Sequence, residues 1–144
     1  MEVKIFEAVD GHIPEQMTSG SSGFDLFSDR DVVIQPGEVR MVGTNIYLEI
    51  PYGYEGQIRA RSSLAMKGLF VANGVGTVDS DYRGEIMVLL YNSTIEPWDI
   101  DKGDSIAQVV FAPVATDIVL KEVPNAESLT RTDRGSGGFG STGR

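Results

Sequence analysis

Cysteine is absent from this chain, and histidine occurs once. The first absence removes disulfides, thiolate nucleophiles and cysteine-ligated metals, and it fits a reducing, intracellular setting. The second removes any metal site built on several histidines of one chain. A Ser-His-Asp triad would have to use His12. That residue stands in the loop-like run Asp10-Gly11-His12-Ile13-Pro14, where a solvated histidine is the plainer reading. The acid–base chemistry left is that of Asp, Glu, Tyr and Lys. Long apolar runs are missing too: none reaches the ~18 residues of a membrane span. The start, Met1-Glu2-Val3-Lys4, lacks the basic and apolar regions of a secretory signal. No membrane partner is expected, and the expected location is cytoplasmic. Basic residues are in deficit, 12 against 21 acidic, for a net charge of −9. That argues against a nucleic-acid partner, which calls for a basic footprint. It leaves room for a small anion held by a few local cations and backbone N–H groups.

Helix is scarce as well. The 144 residues suit one domain, and 41% hydrophobic residues can supply its core. The apolar runs are short and separated by turn signals. Strands are predicted over Val3–Ala8, Gly23–Ser28, Asp31–Gln35, Val39–Ile50 (with a break at Gly43), Tyr54–Arg61, Leu69–Asp79, Glu85–Tyr91, Ile100–Ala112 and Asp117–Val123. Pro36-Gly37 and Pro51-Tyr52-Gly53 mark turns. In the run from Tyr54 to Arg61, Gln57, Arg59 and Arg61 fall on one side. One short helix is expected at Ser62-Ser63-Leu64-Ala65-Met66-Lys67-Gly68, capped by serine and ended by glycine. The pattern is that of an all-β sandwich or barrel. No repeat of 20–50 residues points to a solenoid or propeller.

Several stretches carry candidate chemistry. Gly76-Thr77-Val78-Asp79-Ser80-Asp81-Tyr82-Arg83-Gly84 packs two carboxylates and a phenol between glycines. On an extended chain the two acids would point the same way. The alternative is a surface hairpin with solvated aspartates. Arg61-Ser62-Ser63 combines a cation, two hydroxyls and a helix start, which serves either as a phosphate grip or as an ordinary cap. Gln108 sits in an apolar run, where its amide needs a partner. Arg83 and Trp98 read as structural residues. The tail Arg134-Gly135-Ser136-Gly137-Gly138-Phe139-Gly140-Ser141-Thr142-Gly143-Arg144 has one apolar side chain and too little to bury on its own. It reads as a disordered terminus or as an arm that folds over a phosphate ligand. Its glycine spacing matches two nucleotide-binding patterns in form, but no helix follows to face the phosphate.

Taken in order, Gly23-Phe24-Asp25-Leu26, Arg61-Ser62-Ser63-Leu64-Ala65, Gly76 to Gly84, Gly103-Asp104-Ser105-Ile106-Ala107-Gln108 and Arg134 to Gly143 resemble the five motifs of the trimeric dUTPases. Phe24 stands where tyrosine is usual, Ser22 where alanine is, and Ser105 where arginine is common.

The resemblance implies a β jelly-roll or barrel subunit, residues 1–133, and a flexible arm, residues 134–144, in a homotrimer with sites at subunit boundaries. It implies hydrolysis of dUTP to dUMP and pyrophosphate with Mg²⁺, keeping uracil out of DNA and supplying dUMP for dTMP synthesis. Asp79 is then the general base that activates water. Asn73 to Asp79, Gly76 and Val78 included, form the uracil pocket. Tyr82 packs on the deoxyribose. Arg61, Ser62, Ser63, Gln108 and Arg134 contact the substrate, chiefly its phosphates. Phe139 lies over the base, and Gly140, Ser141 and Thr142 join it in the arm. Asp25 and Gln108 are expected to reach the metal only through water, with no direct protein ligand. A dCTP deaminase on the same fold usually carries a glutamate in the third motif, whereas Asp79-Ser80-Asp81-Tyr82 has the hydrolase form.

Overall fold

The computed structural model describes residues 1–139. The chain forms ten strands: β1 (Lys4–Glu7), β2 (Phe24–Phe27), β3 (Val32–Ile34), β4 (Val39–Glu49), β5 (Tyr54–Arg59), β6 (Leu69–Val71), β7 (Gly76–Val78), β8 (Glu85–Asn92), β9 (Trp98–Ile100) and β10 (Ser105–Pro113). One short helix, α1 (Ser62–Ala65), and a 3-10 turn at Ala126–Ser128 complete the regular structure of the described residues. None of their helices is long and apolar enough to cross a membrane. The expected all-β class is what the chain adopts.

Two four-stranded antiparallel sheets, ordered β1-β4-β8-β6 and β2-β10-β5-β7, carry most of the pairing, and β3 and β9 form a small third sheet. Alternation along β8 puts Ile86, Val88 and Leu90 inward. They meet Ile58 of β5 and Ile106 and Val109 of β10 in a single apolar core that both large sheets supply. That continuity stabilises the fold, because each sheet buries an apolar face that would otherwise meet water.

Local details depart from the sequence expectation in instructive ways. Gly43 does not end its strand. β4 runs through it, and the register with β8 shifts between Gly43 and Tyr47, so the expected break is a bulge. The run Leu69 to Asp79 is two strands, divided by the turn at Asn73-Gly74 and placed in different sheets. Helix α1 starts after Arg61, which holds the cap position in extended conformation without a side-chain cap bond. The serine cap is therefore replaced by backbone geometry: the Arg61 carbonyl itself accepts from the Leu64 and Ala65 N–H groups. Gly68, at φ 99°, closes the following turns as expected. The strand expected over Asp117–Val123 does not form. Ile118, Val119 and Leu120 are exposed, and a β-branched run without a neighbouring edge has nothing to pair with.

Two polar groups are built into the interior. Asn92, fully buried, donates to the carbonyls of Ile34 (2.9 Å) and Glu96 (2.8 Å) and accepts from the Thr94 N–H (2.9 Å). It ties the end of β8 to β3 and to the loop before β9. The Asp29 carboxylate is buried and accepts two bonds from the Arg30 guanidinium, at 2.7 and 2.6 Å. Those bonds hold its pKa below the ordinary 3.8, against the opposing pull of burial. A folded-state pKa below the unfolded value means a stabilising contribution that is complete above the ordinary carboxylate range. It is lost as the pH falls towards the folded value. Urea unfolding midpoints of Asp29→Asn should therefore fall less steeply than wild type between roughly pH 5 and 3, and parallel curves would remove Asp29 from the acid response.

Candidate active site

The segment 79–84 is not a hairpin. β7 before it pairs with β5, and β8 after it pairs with β4 and β6, so these residues cross from one large sheet to the other. The Tyr82 N–H donates to the Asp79 carbonyl at 3.1 Å, which bends the segment into a turn. Asp79 and Asp81 still line one surface hollow together, with Ser80, Tyr52 and Tyr54. Asp79 lines a cavity of about 290 Å³ with Tyr82, Asn73, Gly76 and Val78, and Asp81 is not part of its wall. Four expected pocket residues thus converge on the expected base. Ile58, Met41, Met87 and Leu89 add an apolar wall.

Those wall residues do not stand out in the sequence as site residues, although β8 holds the signal. Glu85 to Tyr91 is a nearly continuous apolar run, and such a strand is covered on both faces. Asp79 and Asn73 are exposed, whereas Gly76 and Val78 are buried. The Tyr82 hydroxyl donates to the Glu85 carbonyl at 2.9 Å. Arg83 donates to the carbonyls of Ser80 and Tyr82, both at 2.8 Å, a structural role that braces the turn.

A second group forms around β10. Gln108 lies opposite Asp25 of β2 on one side and Arg59 of β5 on the other. The register with β2 shifts between Ser105 and Ala107. Ile106 and Ala107 are both buried as a result, and Ser105 and Gln108 share the opposite face. The Ser105 hydroxyl donates to Asp25 Oδ2 at 2.8 Å, and Arg61 Nη2 stands 3.1 Å from the same oxygen. Arg61 Nη1 also donates to the Ser105 carbonyl, at 3.2 Å. Gln108 Nε2 donates to the Ala60 carbonyl at 3.1 Å, which satisfies the amide expected to need a partner. Its Oε1 occupies space that a side chain at Gly23 would fill, since a Cβ there would stand 2.3 Å away. Gln57 and Arg59 share a face as expected, and Arg59 Nε donates to Gln57 Oε1 at 3.1 Å.

Arg61 and Ser63 line a separate cavity of about 300 Å³ with Lys67, Trp98, Asp104 and Ser105. Trp98, expected to serve packing alone, contributes to this wall, and Lys67 adds a second cation that the helix pattern hides. Ser62 is exposed at the start of α1. Neither Arg61 nor Gln108 belongs to the wall of the Asp79 cavity. Within one chain the expected residues therefore form two groups, one around Asp79 and Tyr82 and one around Asp25 and Arg61.

Arg134 donates through Nε to the Gly137 carbonyl at 2.8 Å, and Phe139 is fully exposed. Gly140, Ser141 and Thr142 lie outside the described residues. His12 stacks on Phe27 and meets the Glu15 carboxylate at 2.6 Å, as a loop residue. No three His, Asp or Glu side chains gather in metal-binding geometry among the described residues. At Asp25, both protein donors take Oδ2, which leaves Oδ1 for a water of a hydrated ion.

The sequence profile described as dUTPase matches residues 10–143. A deoxyuridine 5'-triphosphate nucleotidohydrolase of Nautilia profundicola is 53% identical over 133 residues, covering 92% of this chain and 91% of its own. The fowlpox virus protein of the same name is 43% identical over 143 residues, covering 99% and 97%. Among solved structures, the dUTPase of Staphylococcus bacteriophage 80alpha with dUPNHPP superposes with a TM-score of 0.88 at 27% identity, covering 99% of each chain. A point mutant of the dUTPase from phage phi11 of S. aureus, which reveals the coordination of a structural Mg(II) ion, superposes at 0.80 with 25% identity over 89% of this chain and 100% of its own.

Proposed function

This chain belongs to the dUTPase family and is a hydrolase of the dUTP nucleotidohydrolase class, and from that premise we propose how its residues divide the work. Water attacks the α-phosphorus of dUTP. A bond forms from the water oxygen to phosphorus, the bond to the β-phosphate bridge breaks, and pyrophosphate leaves with dUMP behind. The observation that carries this reading is the convergence of Asp79, Tyr82, Asn73, Gly76 and Val78 on one cavity. The Asp79 carboxylate takes the proton of the attacking water, an effect of roughly 10²–10⁴-fold in general-base catalysis.

The pyrimidine enters between the backbone of Asn73–Val78 and the apolar wall of Ile58, Met87 and Leu89. A wrong base would leave buried polar groups unpaired at about 1–3 kcal/mol each. Tyr82 closes the sugar side against a 2′-hydroxyl. Arg61, Ser62, Ser63 and Gln108 hold the phosphates, and Asp25 fixes the Arg61 guanidinium. Mg²⁺, when bound with the substrate, would neutralise the triphosphate charge, and Asp25 and Gln108 are the residues that would hold it, through water.

The two groups of residues meet in a homotrimer, where the Asp79 face of one chain is completed by the Arg61 face of another. Residues 1–133 form the catalytic body. The arm 134–144 closes over a site with Arg134, Phe139, Gly140, Ser141 and Thr142, Phe139 covering the base and excluding water. The exposure of Phe139 in its own chain supports an arm that acts elsewhere. Hydrolysis keeps uracil out of DNA and supplies dUMP for dTMP synthesis, in the cytoplasm.

A pyrophosphate-release assay with Mg²⁺ across dUTP, dTTP, dCTP and UTP tests the reading. Release should be confined largely to dUTP, and Asp79→Asn should bind dUTP yet lose at least about 10²-fold in turnover; near-normal turnover of that variant would remove Asp79 as the base. Deleting Arg134 to Arg144 should slow hydrolysis severely while the unfolding midpoint stays put, and unchanged activity would restore the tail to a passive terminus. Co-refolding Asp79→Asn with Arg61→Ala at equal amounts should recover about one quarter of wild-type sites, because random trimers pair intact halves that often. No recovery would contradict a shared site.

A further inference from the structure

We propose that Gly84 is a positioning residue that seats the Tyr82 ring and thereby sets the discrimination between deoxyribose and ribose; this rests on the reading of Tyr82 as the wall on the sugar side. Tyr82 is 44% exposed, so burial among neighbours does not by itself hold the ring in place. Two local features do. The phenol donates to the Glu85 carbonyl at 2.9 Å. The ring also lies across the Gly84 backbone, where a Cβ would stand 2.3 Å from the Tyr82 hydroxyl oxygen, 2.5 Å from Cζ and 3.0 Å from Cε2. The first two distances are shorter than any real Cβ contact, so a side chain at 84 and the present ring position exclude each other.

The backbone beneath the ring has little room to retreat. Glu85 opens β8 opposite Tyr47 of β4. Its carboxylate accepts the N–H groups of Thr44 (3.0 Å) and Asn45 (2.9 Å), where the β4 register shifts. The Glu85 carbonyl that receives the phenol is thereby fastened to the sheet. Relief of a clash at 84 falls to the Tyr82 side chain, which swings away and breaks its bond to that carbonyl. A ring that has left its seat no longer occupies the space a 2′-hydroxyl would need.

The test measures kcat/KM for dUTP and UTP with the full chain and Mg²⁺, in wild type, Gly84→Ala, Tyr82→Phe, Tyr82→Ala and the Gly84→Ala/Tyr82→Ala double variant. Gly84→Ala should lower the dUTP-over-UTP preference about tenfold or more, the scale at which a fixed wall discriminates. Tyr82→Phe keeps the ring but removes its anchor, and should lower the preference about 2- to 10-fold. Adding Gly84→Ala to Tyr82→Ala should change the preference no further, which a general structural effect of the alanine would not produce. An unchanged preference in Gly84→Ala, or an equal drop in both backgrounds, overturns the seat. Should Gly84→Ala fail to fold, Tyr82→Phe decides: an unchanged preference overturns the proposal. An unaltered preference in Tyr82→Ala brings down the sugar-wall reading itself. A relaxed Tyr82→Ala beside an unaffected Gly84→Ala brings down only the seat.

Discussion

The position of β10 between β2 and β5 is the constraint on which the Asp25 group depends. A strand paired on both edges has its register set twice, and here the two settings agree on Gln108, which faces Asp25 on one side and Arg59 on the other. The register shift between Ser105 and Ala107 then matters more than the residue types alone. It buries Ile106 and Ala107 together and turns Ser105 onto the face of Gln108. Without it, strict alternation would separate Ser105 from Gln108, and the Asp25 carboxylate would lose the hydroxyl that donates to it. A displacement of one residue in a ladder is thus converted into the presence or absence of a charged constellation.

The crossing of residues 79–84 between the two large sheets has a different logic. Its ends are anchored in separate sheets that share one core. The turn closed from Tyr82 to Asp79 is therefore held on both sides. This allows an exposed carboxylate and a half-exposed phenol to keep defined places without burial. The Tyr82 hydroxyl, the Glu85 carbonyl and the Glu85 carboxylate form a chain of bonds that reaches back into β4. Rigid strands thereby supply the order that a loop lacks, a common division of labour between scaffold and site.

Much of the fold was legible in the sequence because its strands are short, β-rich and separated by Gly and Pro turns, which are local signals. Strands β1 to β7 fall inside expected runs, and β8 and β10 end just past theirs; the run Ile100–Ala112 starts well before β10 at Ser105, and β9 begins at Trp98 outside any of them. Misreadings occurred where pairing overrode local preference. Asp117–Val123 has the composition of a strand but finds no edge in its own chain, and Gly43 has the composition of a break but sits in a bulge of a paired strand. In the candidate site, Asp79, Tyr82, Asn73, Gly76 and Val78 were legible as a motif and do share one cavity. Its apolar wall, from Met41, Met87 and Leu89, was not, because those residues look like ordinary core until the sheets are placed.

Residue types alone limit the chemistry open to this chain. They exclude thiols and histidine clusters and leave carboxylates and a phenol for acid–base work, and their order carries five motifs recognisable without coordinates. Their grouping arises when the sheets pack: Asp25, Arg61, Ser105 and Gln108 gather on one face, Asp79 and Tyr82 in a separate cavity. Residue type is a local property, whereas strand register and sheet crossing are set by long-range pairing. Neighbours 80 positions apart, such as Asp25 and Ser105, meet only once those pairings are made.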